Sequence, residues 1–182
     1  MSTAAALTTV AEFLRLPDPK AGHYELHHGE VILMPPPKWR HTRIQKQLEK
    51  LLQQAIGDNG TVIMEMPFQP SPEHEVWQAD VAVLPLERAK RIGGDEYLQG
   101  APDLVVEVLS PSNTAQEIND KIAVCLESGC ASFWVVDDKR KQVTVTEGDI
   151  TKRYAQGATI QSDVLGSDIC VEDIFQCAGS RY

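Results

Sequence analysis

The sequence predicts a mixed α/β domain, a sheet flanked by helices, and three observations carry that prediction. Apolar runs of strand length recur at "TVIMEMPFQP" (61–70), "WQADVAVLP" (77–85), "PDLVVEVLS" (102–110) and "SFWVVDD" (132–138). Two longer stretches carry apolar residues at helical spacing instead. The order along the chain is helix, strand, strand, strand, helix, strand, with a hairpin before and another after, which suits a sheet covered by helices.

The elements follow in order. Thr9 and Glu12 form a capping-box signature ahead of a short helix bearing Val10, Phe13 and Leu14. "HYELHHGEVILMP" (23–35) reads as strand and hairpin, with His23, His27 and His28 as surface or hairpin histidines rather than a metal cluster. The proline run in "LMPPPKW" (33–39) blocks the strand from continuing and turns the chain into a helix from Trp39 to Ile56. In that helix Ile44, Leu48, Leu51, Leu52 and Ala55 share an apolar face, and Gly57 stops it. Thr114 with Glu117 caps a second helix carrying Ile118, Ile122, Val124 and Leu126, which ends at Gly129. "QVTVTEGDITKRYA" (142–155) alternates polar and apolar residues around a Gly-Asp turn, so it reads as an edge hairpin. "SDICVEDIF" (167–175) reads as a last short strand or a turn of helix.

Length and composition bound the rest. A chain of 182 residues with 42% apolar and 24% charged side chains fits one globular domain, taken here as residues 1–182. No apolar run approaches the roughly 18 residues of a membrane span, and no secretory signal stands at the start, so the expectation is a cytoplasmic protein without membrane attachment. Cys125, Cys130, Cys170 and Cys177 form no C-x-x-C pair, which argues against a zinc site and for reduced thiols.

Two acids stand where acids are costly. Glu107 sits between Val106 and Val108, and Asp80 precedes Val81, Ala82, Val83 and Leu84. A carboxylate in an apolar strand costs several kcal/mol unless it is paired, protonated or metal-bound. The two strands are consecutive, so the two acids can converge, and a divalent cation held by both would relieve their repulsion. The reading that competes with this is a structural ion pair or a strand-end carboxylate in solvent. Lys121 lies on one helix face with Glu117 and Cys125, at the edge of the apolar side, where it can compensate charge or meet a phosphate. Glu30 is either a third acid reaching from the hairpin or a solvated turn residue. His41 is either an assisting group or a hydrogen-bonded, half-buried histidine, and Gln45 either contacts substrate or is partly exposed.

"YELHHGE" (24–30), "HTRIQKQL" (41–48), "QADVAVL" (78–84), "PDLVVEVLSPS" (102–112), "DKIAV" (120–124) and "FWVVD" (133–137) together resemble the PD-(D/E)XK nuclease superfamily. Within it they are most similar to the family of putative restriction endonucleases, over roughly residues 8–175. The resemblance implies a restriction-endonuclease-like mixed β-sheet flanked by helices and metal-dependent hydrolysis of a phosphodiester. Asp80 and Glu107 would hold Mg2+ (or Mn2+), with the Val108 carbonyl as a further ligand, and Lys121 would orient water or neutralise developing charge. DNA is the implied partner, and a homodimer would supply one centre per strand. Three positions depart from the superfamily pattern. Leu109 stands where lysine is usual, Ala79 where proline usually precedes the first acid, and Cys125 where a tyrosine commonly follows the helix lysine.

The net charge of −9 weighs for a second reading, a non-catalytic binding or regulatory domain that keeps the fold, because phosphate contacts by Lys and Arg supply most non-specific affinity for nucleic acid. Cations are nevertheless grouped, with four in "KWRHTRIQK" (38–46) and three each in "ERAKR" (87–91) and "DKRK" (138–141). Whether these groups lie on the side of Asp80 and Glu107 discriminates the two readings.

Overall fold

The computed structural model describes residues 7–176 except 72, 95 and 112. Cys177 therefore lies outside the described residues. In chain order the elements are α1 (Val10–Phe13), β1 (His23–His27), β2 (Glu30–Met34), α2 (Trp39–Ile56), β3 (Gly60–Gln69), β4 (Trp77–Pro85), α3 (Leu86–Ala89), β5 (Leu98–Gln99) and β6 (Leu104–Val108). They continue with α4 (Ala115–Glu127), β7 (Ser132–Asp137), β8 (Gln142–Glu147), β9 (Ile150–Ala155), β10 (Thr159–Ser162), β11 (Ser167–Cys170) and α5 (Val171–Phe175).

Seven strands form one sheet in the order β5-β3-β4-β6-β7-β8-β9. β6 and β7 are parallel, joined through α4, and β5 is parallel to β3; the other pairings are antiparallel. The central strands are apolar on both sides because both sides are covered. Ile44, Leu48, Leu52 and Ile56 of α2 pack with Val81, Val83, Leu104, Val106 and Trp134 on one face. Ile118, Ile122 and Cys125 of α4 pack with Ala82, Leu84, Val105 and Phe133 on the other. Burial of this kind contributes about 25 cal/mol per Å² of apolar surface, which is why the two helices dock where their stripes meet the sheet.

Both predicted capping boxes form, at Thr9 with Glu12 and at Thr114 with Glu117. The tail resolves into both of the predicted alternatives, strand β11 followed directly by α5. The β1–β2 hairpin is a separate two-stranded sheet, bridged to the rest through Leu26 and Val76.

One irregularity places the site. In β3, Val62 and Met64 pack on the α2 face, whereas Met66 and Phe68, of the same parity, pack on the α4 face. β4 does the same, with Val81 and Val83 on one side and Trp77 and Ala79 on the other. The strands pair Met64 with Val81 and Met66 with Ala79, so Glu65 and Asp80 mark the reversal. Glu65 adopts φ +51°, a left-handed backbone uncommon for a residue with a Cβ. A strand normally sends alternate side chains to opposite faces, and one left-handed residue changes that phase.

Candidate active site at the fork between two strands

β4 and β6 pair only from Val81↔Val106 to Val83↔Leu104. Continuing the register would set Asp80 against Glu107, but the ladder has ended there and the strands fork. Asp80 occupies the fork. Its Oδ2 accepts the Val108 N–H at 2.7 Å, replacing the lost ladder bond. Its Oδ1 lies 2.9 Å from His41 Nε2 and accepts from Gln45 Nε2 at 3.1 Å, both on the first turns of α2.

Glu65 joins from β3. Its two carboxylate oxygens accept from Gln45 and Gln78. One ligand atom each from His41, Glu65 and Asp80 lies within 4.8 Å of the others. Gln45, a candidate substrate contact or a partly exposed residue on sequence grounds, is instead buried and braces both acids. His41 is half-buried and bonded to Asp80.

Glu107 enters from β6, with Lys121 of α4 beside it. Their charged atoms are 2.8 Å apart, and both side chains are nearly buried. Lys121 also donates to the Gln78 carbonyl at 3.0 Å. Glu107 Oε1, though next to the ammonium, accepts no aligned hydrogen bond among the described residues. Lys121 lies 6.0 Å from the centre of the Trp77 ring, and His27 stacks on the same ring at 5.2 Å between centroids.

The hairpin does supply a buried acid, and it is Glu25 rather than Glu30. Glu30 stands exposed at the start of β2. Glu25, on the facing strand, is only 3% exposed. It accepts the Gln78 N–H at 3.1 Å and meets the Nε2 atoms of His23 and His27. Gln78 thus has its N–H on Glu25 and its C=O on Lys121. His28 leaves the strand at the turn, with φ +50°, and pairs with Glu75, whose carboxylate also takes the Trp77 indole N–H at 2.7 Å.

The electrostatics reflect an excess of buried negative charge. Burial pushes the Glu107 carboxyl up, and although Lys121 pulls it down, the Asp80 and Glu25 charges leave it well above the usual range. Burial disfavours charge on Lys121, but Glu107, Glu25 and Asp80 outweigh that and hold the ammonium protonated. At Glu25 the burial penalty is overcome by Lys121, His23 and His27, so its carboxyl lies far below the ordinary value. His41 is raised, because the bond and charge of Asp80, followed by Glu65 and Glu107, exceed the effect of burial.

These residues fit a cation. His41, Glu65 and Asp80 present one nitrogen and two carboxylates at coordinating spacing, and Glu107 Oε1 is a buried acceptor without an aligned donor. Glu65 was legible by the argument that singled out Glu107, an acid inside an apolar run, whereas Glu25, among the hairpin histidines, was not. Their convergence with Asp80 was not legible, because it depends on the phase change at Glu65 and on the docking of the hairpin.

Among curated proteins none matches this chain. A solved structure described as a putative nuclease belonging to DUF820 from Anabaena variabilis ATCC 29413 superposes with a TM-score of 0.80 at 21% identity, over 92% of this chain and 97% of that one. That likeness establishes the fold, the restriction-endonuclease-like mixed sheet flanked by helices. The family model Uma2, described as "Putative restriction endonuclease", matches residues 10–172. The chain belongs to the Uma2 family of putative restriction endonucleases.

Proposed function

We propose that this protein is a metal-dependent endonuclease that hydrolyses DNA phosphodiester bonds. The observation that supports this best is the gathering of Glu65, Asp80 and Glu107 at a strand fork, with the Lys121 ammonium and the His41 imidazole beside them and Glu25, paired with His23 and His27, in the same field. Lys121 is shared with Glu107 and Glu25 is matched by His23 and His27, so Asp80 and Glu65 face His41 and amide donors, a negative site that a divalent cation compensates.

Asp80, Glu65 and His41 would hold the metal, with Glu107, the second acid of the expected pair, in the same field. A bound Mg2+ or Mn2+ supplies Lewis acidity at the scissile phosphate and lowers the pKa of water. An imidazole in the donor set suits Mn2+ better than Mg2+, which prefers oxygen throughout. Lys121 holds its proton and presents positive charge where charge develops on the phosphate. Gln45 fixes the rotamers of Asp80 and Glu65, and the Val108 N–H fixes the second oxygen of Asp80. The proposal keeps DNA as partner, a cytoplasmic setting and a two-fold dimer; among the described residues no helix is long and apolar enough to cross a membrane.

The test is nicking of supercoiled plasmid with Mg2+ or Mn2+. Asp80→Ala and Lys121→Ala should each lower the rate by roughly a hundredfold or more, the scale of a lost electrostatic stabiliser. The net charge of −9 favours the non-catalytic alternative. Plasmid that stays intact with either metal, or nicking that survives Asp80→Ala, would decide for it.

A further inference from the structure

Folding brings together two cation groups that are far apart in sequence. Arg40, Arg43 and Ile44 of α2, Asp138 and Lys141 of the β7–β8 turn, and Phe175 of α5 line one open cleft of about 340 Å³. Arg40 and Lys141 both reach Asp138, and Lys141 lies 4.9 Å from the centre of the Phe175 ring. The cleft opens at the same end of the sheet as the candidate site, since Asp138 follows the last residue of β7, and β7 pairs Val135 with Glu107 and Val136 with Val108.

The outer face of α2 continues the surface. Trp39, Arg43, Lys46 and Lys50 recur at helical spacing and are all exposed. Among the described residues Arg43, Lys46 and Lys50 have no acidic partner. Trp39 is 77% exposed, whereas Trp77 and Trp134 are buried. An indole left in water beside unpaired cations is what a single nucleic-acid strand uses, since bases stack on aromatic faces while Lys and Arg follow the phosphates. A continuous duplex keeps its bases stacked on one another and has no free face for Trp39.

We propose that α2 and this cleft form the strand-docking surface of the site, and that its ligand is nucleic acid with an unpaired base for Trp39 to stack on, a single strand or a duplex with a single-stranded arm. This rests on the endonuclease reading and names its substrate class. Charge complementarity supports it: the chain carries −9 overall, yet this face of α2 presents Arg43, Lys46 and Lys50 without acidic partners among the described residues.

Fluorescein-labelled oligonucleotides, as single strand, blunt duplex and duplex with a single-stranded arm, test this by anisotropy on the full chain in EDTA. Wild type should bind the single strand and the armed duplex about tenfold or more tighter than the blunt duplex, with quenching of the exposed indole, the scale of one base stacked on an aromatic ring. Trp39→Ala should abolish the preference and the quenching, while Trp39→Phe keeps most of the preference. Arg43→Gln and Lys46→Gln should weaken all three ligands and flatten the salt slope by about 0.7–0.9 per lost contact.

Equal binding to blunt duplex and single strand would overturn the proposal. So would a preference that survives Trp39→Ala, or a Trp39→Ala variant that dissociates a dimer and so marks Trp39 as a contact between copies. The failures of the two readings are separable. Selective binding without metal-dependent cleavage sinks only the endonuclease reading, and cleavage without selectivity sinks only this one.

Discussion

Lys121 Nζ lies 2.8 Å from Glu107 Oε1 and also donates to the Gln78 carbonyl at 3.0 Å, so one ammonium ties α4 to both strands of the fork. The bond is structural as well as electrostatic. Removing the lysine strips the compensating charge from buried acids, which costs about 3–5 kcal/mol when one partner of a buried pair is lost. Lys121→Met is expected to unfold at markedly lower urea than wild type. The double variant Lys121→Met/Glu107→Gln should recover a large part of the loss.

Glu107→Gln alone should behave differently. Lys121 keeps Glu25 and the Gln78 carbonyl, while Asp80 loses a like-charged neighbour. In EDTA its melting temperature should equal or exceed that of wild type. A drop of many degrees would show that Glu107 serves mainly to hold the fold.

Divalent cation should stabilise the native state, since it binds there and not to the unfolded chain. For a dissociation constant of about 1 mM, roughly 10 mM metal adds about 1.4 kcal/mol, or about 3–6 °C in a domain of this size. Mn2+ should act more strongly than Mg2+, and Asp80→Asn and Glu65→Gln should each remove most of the response. A melting curve indifferent to both metals would argue against the cation site.

The His41 shift gives a pH dependence with a definite sign. Its folded pKa is raised, so its contribution to stability is complete below the unfolded value of about 6.5 and is lost as pH climbs through the higher folded value. Metal-free wild type should lose stability over that window, and His41→Asn should flatten the loss. Metal needs the neutral imidazole, so stabilisation by Mn2+ should grow over the same window. Calorimetry across pH with and without Mn2+ checks both signs.

Glu25 is a prediction about the hairpin. Glu25→Ala would leave the Gln78 N–H without its acceptor and separate His23 and His27 from their shared carboxylate. The expected loss is about 1–3 kcal/mol by urea denaturation, the cost of unsatisfied buried polar groups. Glu30→Ala, at an exposed position, should change stability by no more than about 0.5 kcal/mol.

Local chemistry was legible in the sequence. The span of α2 from Trp39 to Ile56 follows from an apolar stripe between a proline run and Gly57, and the start of α4 from the Thr114 and Glu117 capping pair; the structure keeps both. The central strands were legible because a sheet covered on both faces needs unbroken apolar runs. Glu107 and Asp80 stood out because a carboxylate in such a run demands a partner.

What only the tertiary structure decided is who the partners are. Lys121 meets Glu107 because α4 crosses back over β6 on the face that Val105 and Glu107 share. Glu65 turns to the site because one left-handed residue shifts the phase of β3, and that strain is invisible in a sequence whose periodicity looks uninterrupted. Glu25 replaces Glu30 as the hairpin's contribution because docking of the hairpin through Leu26 and Val76 buries one of two acids that differ little as sequence. Sequence sets which groups are costly to bury, and long-range packing determines where that cost is met, because each partner lies on a different element brought in by the core.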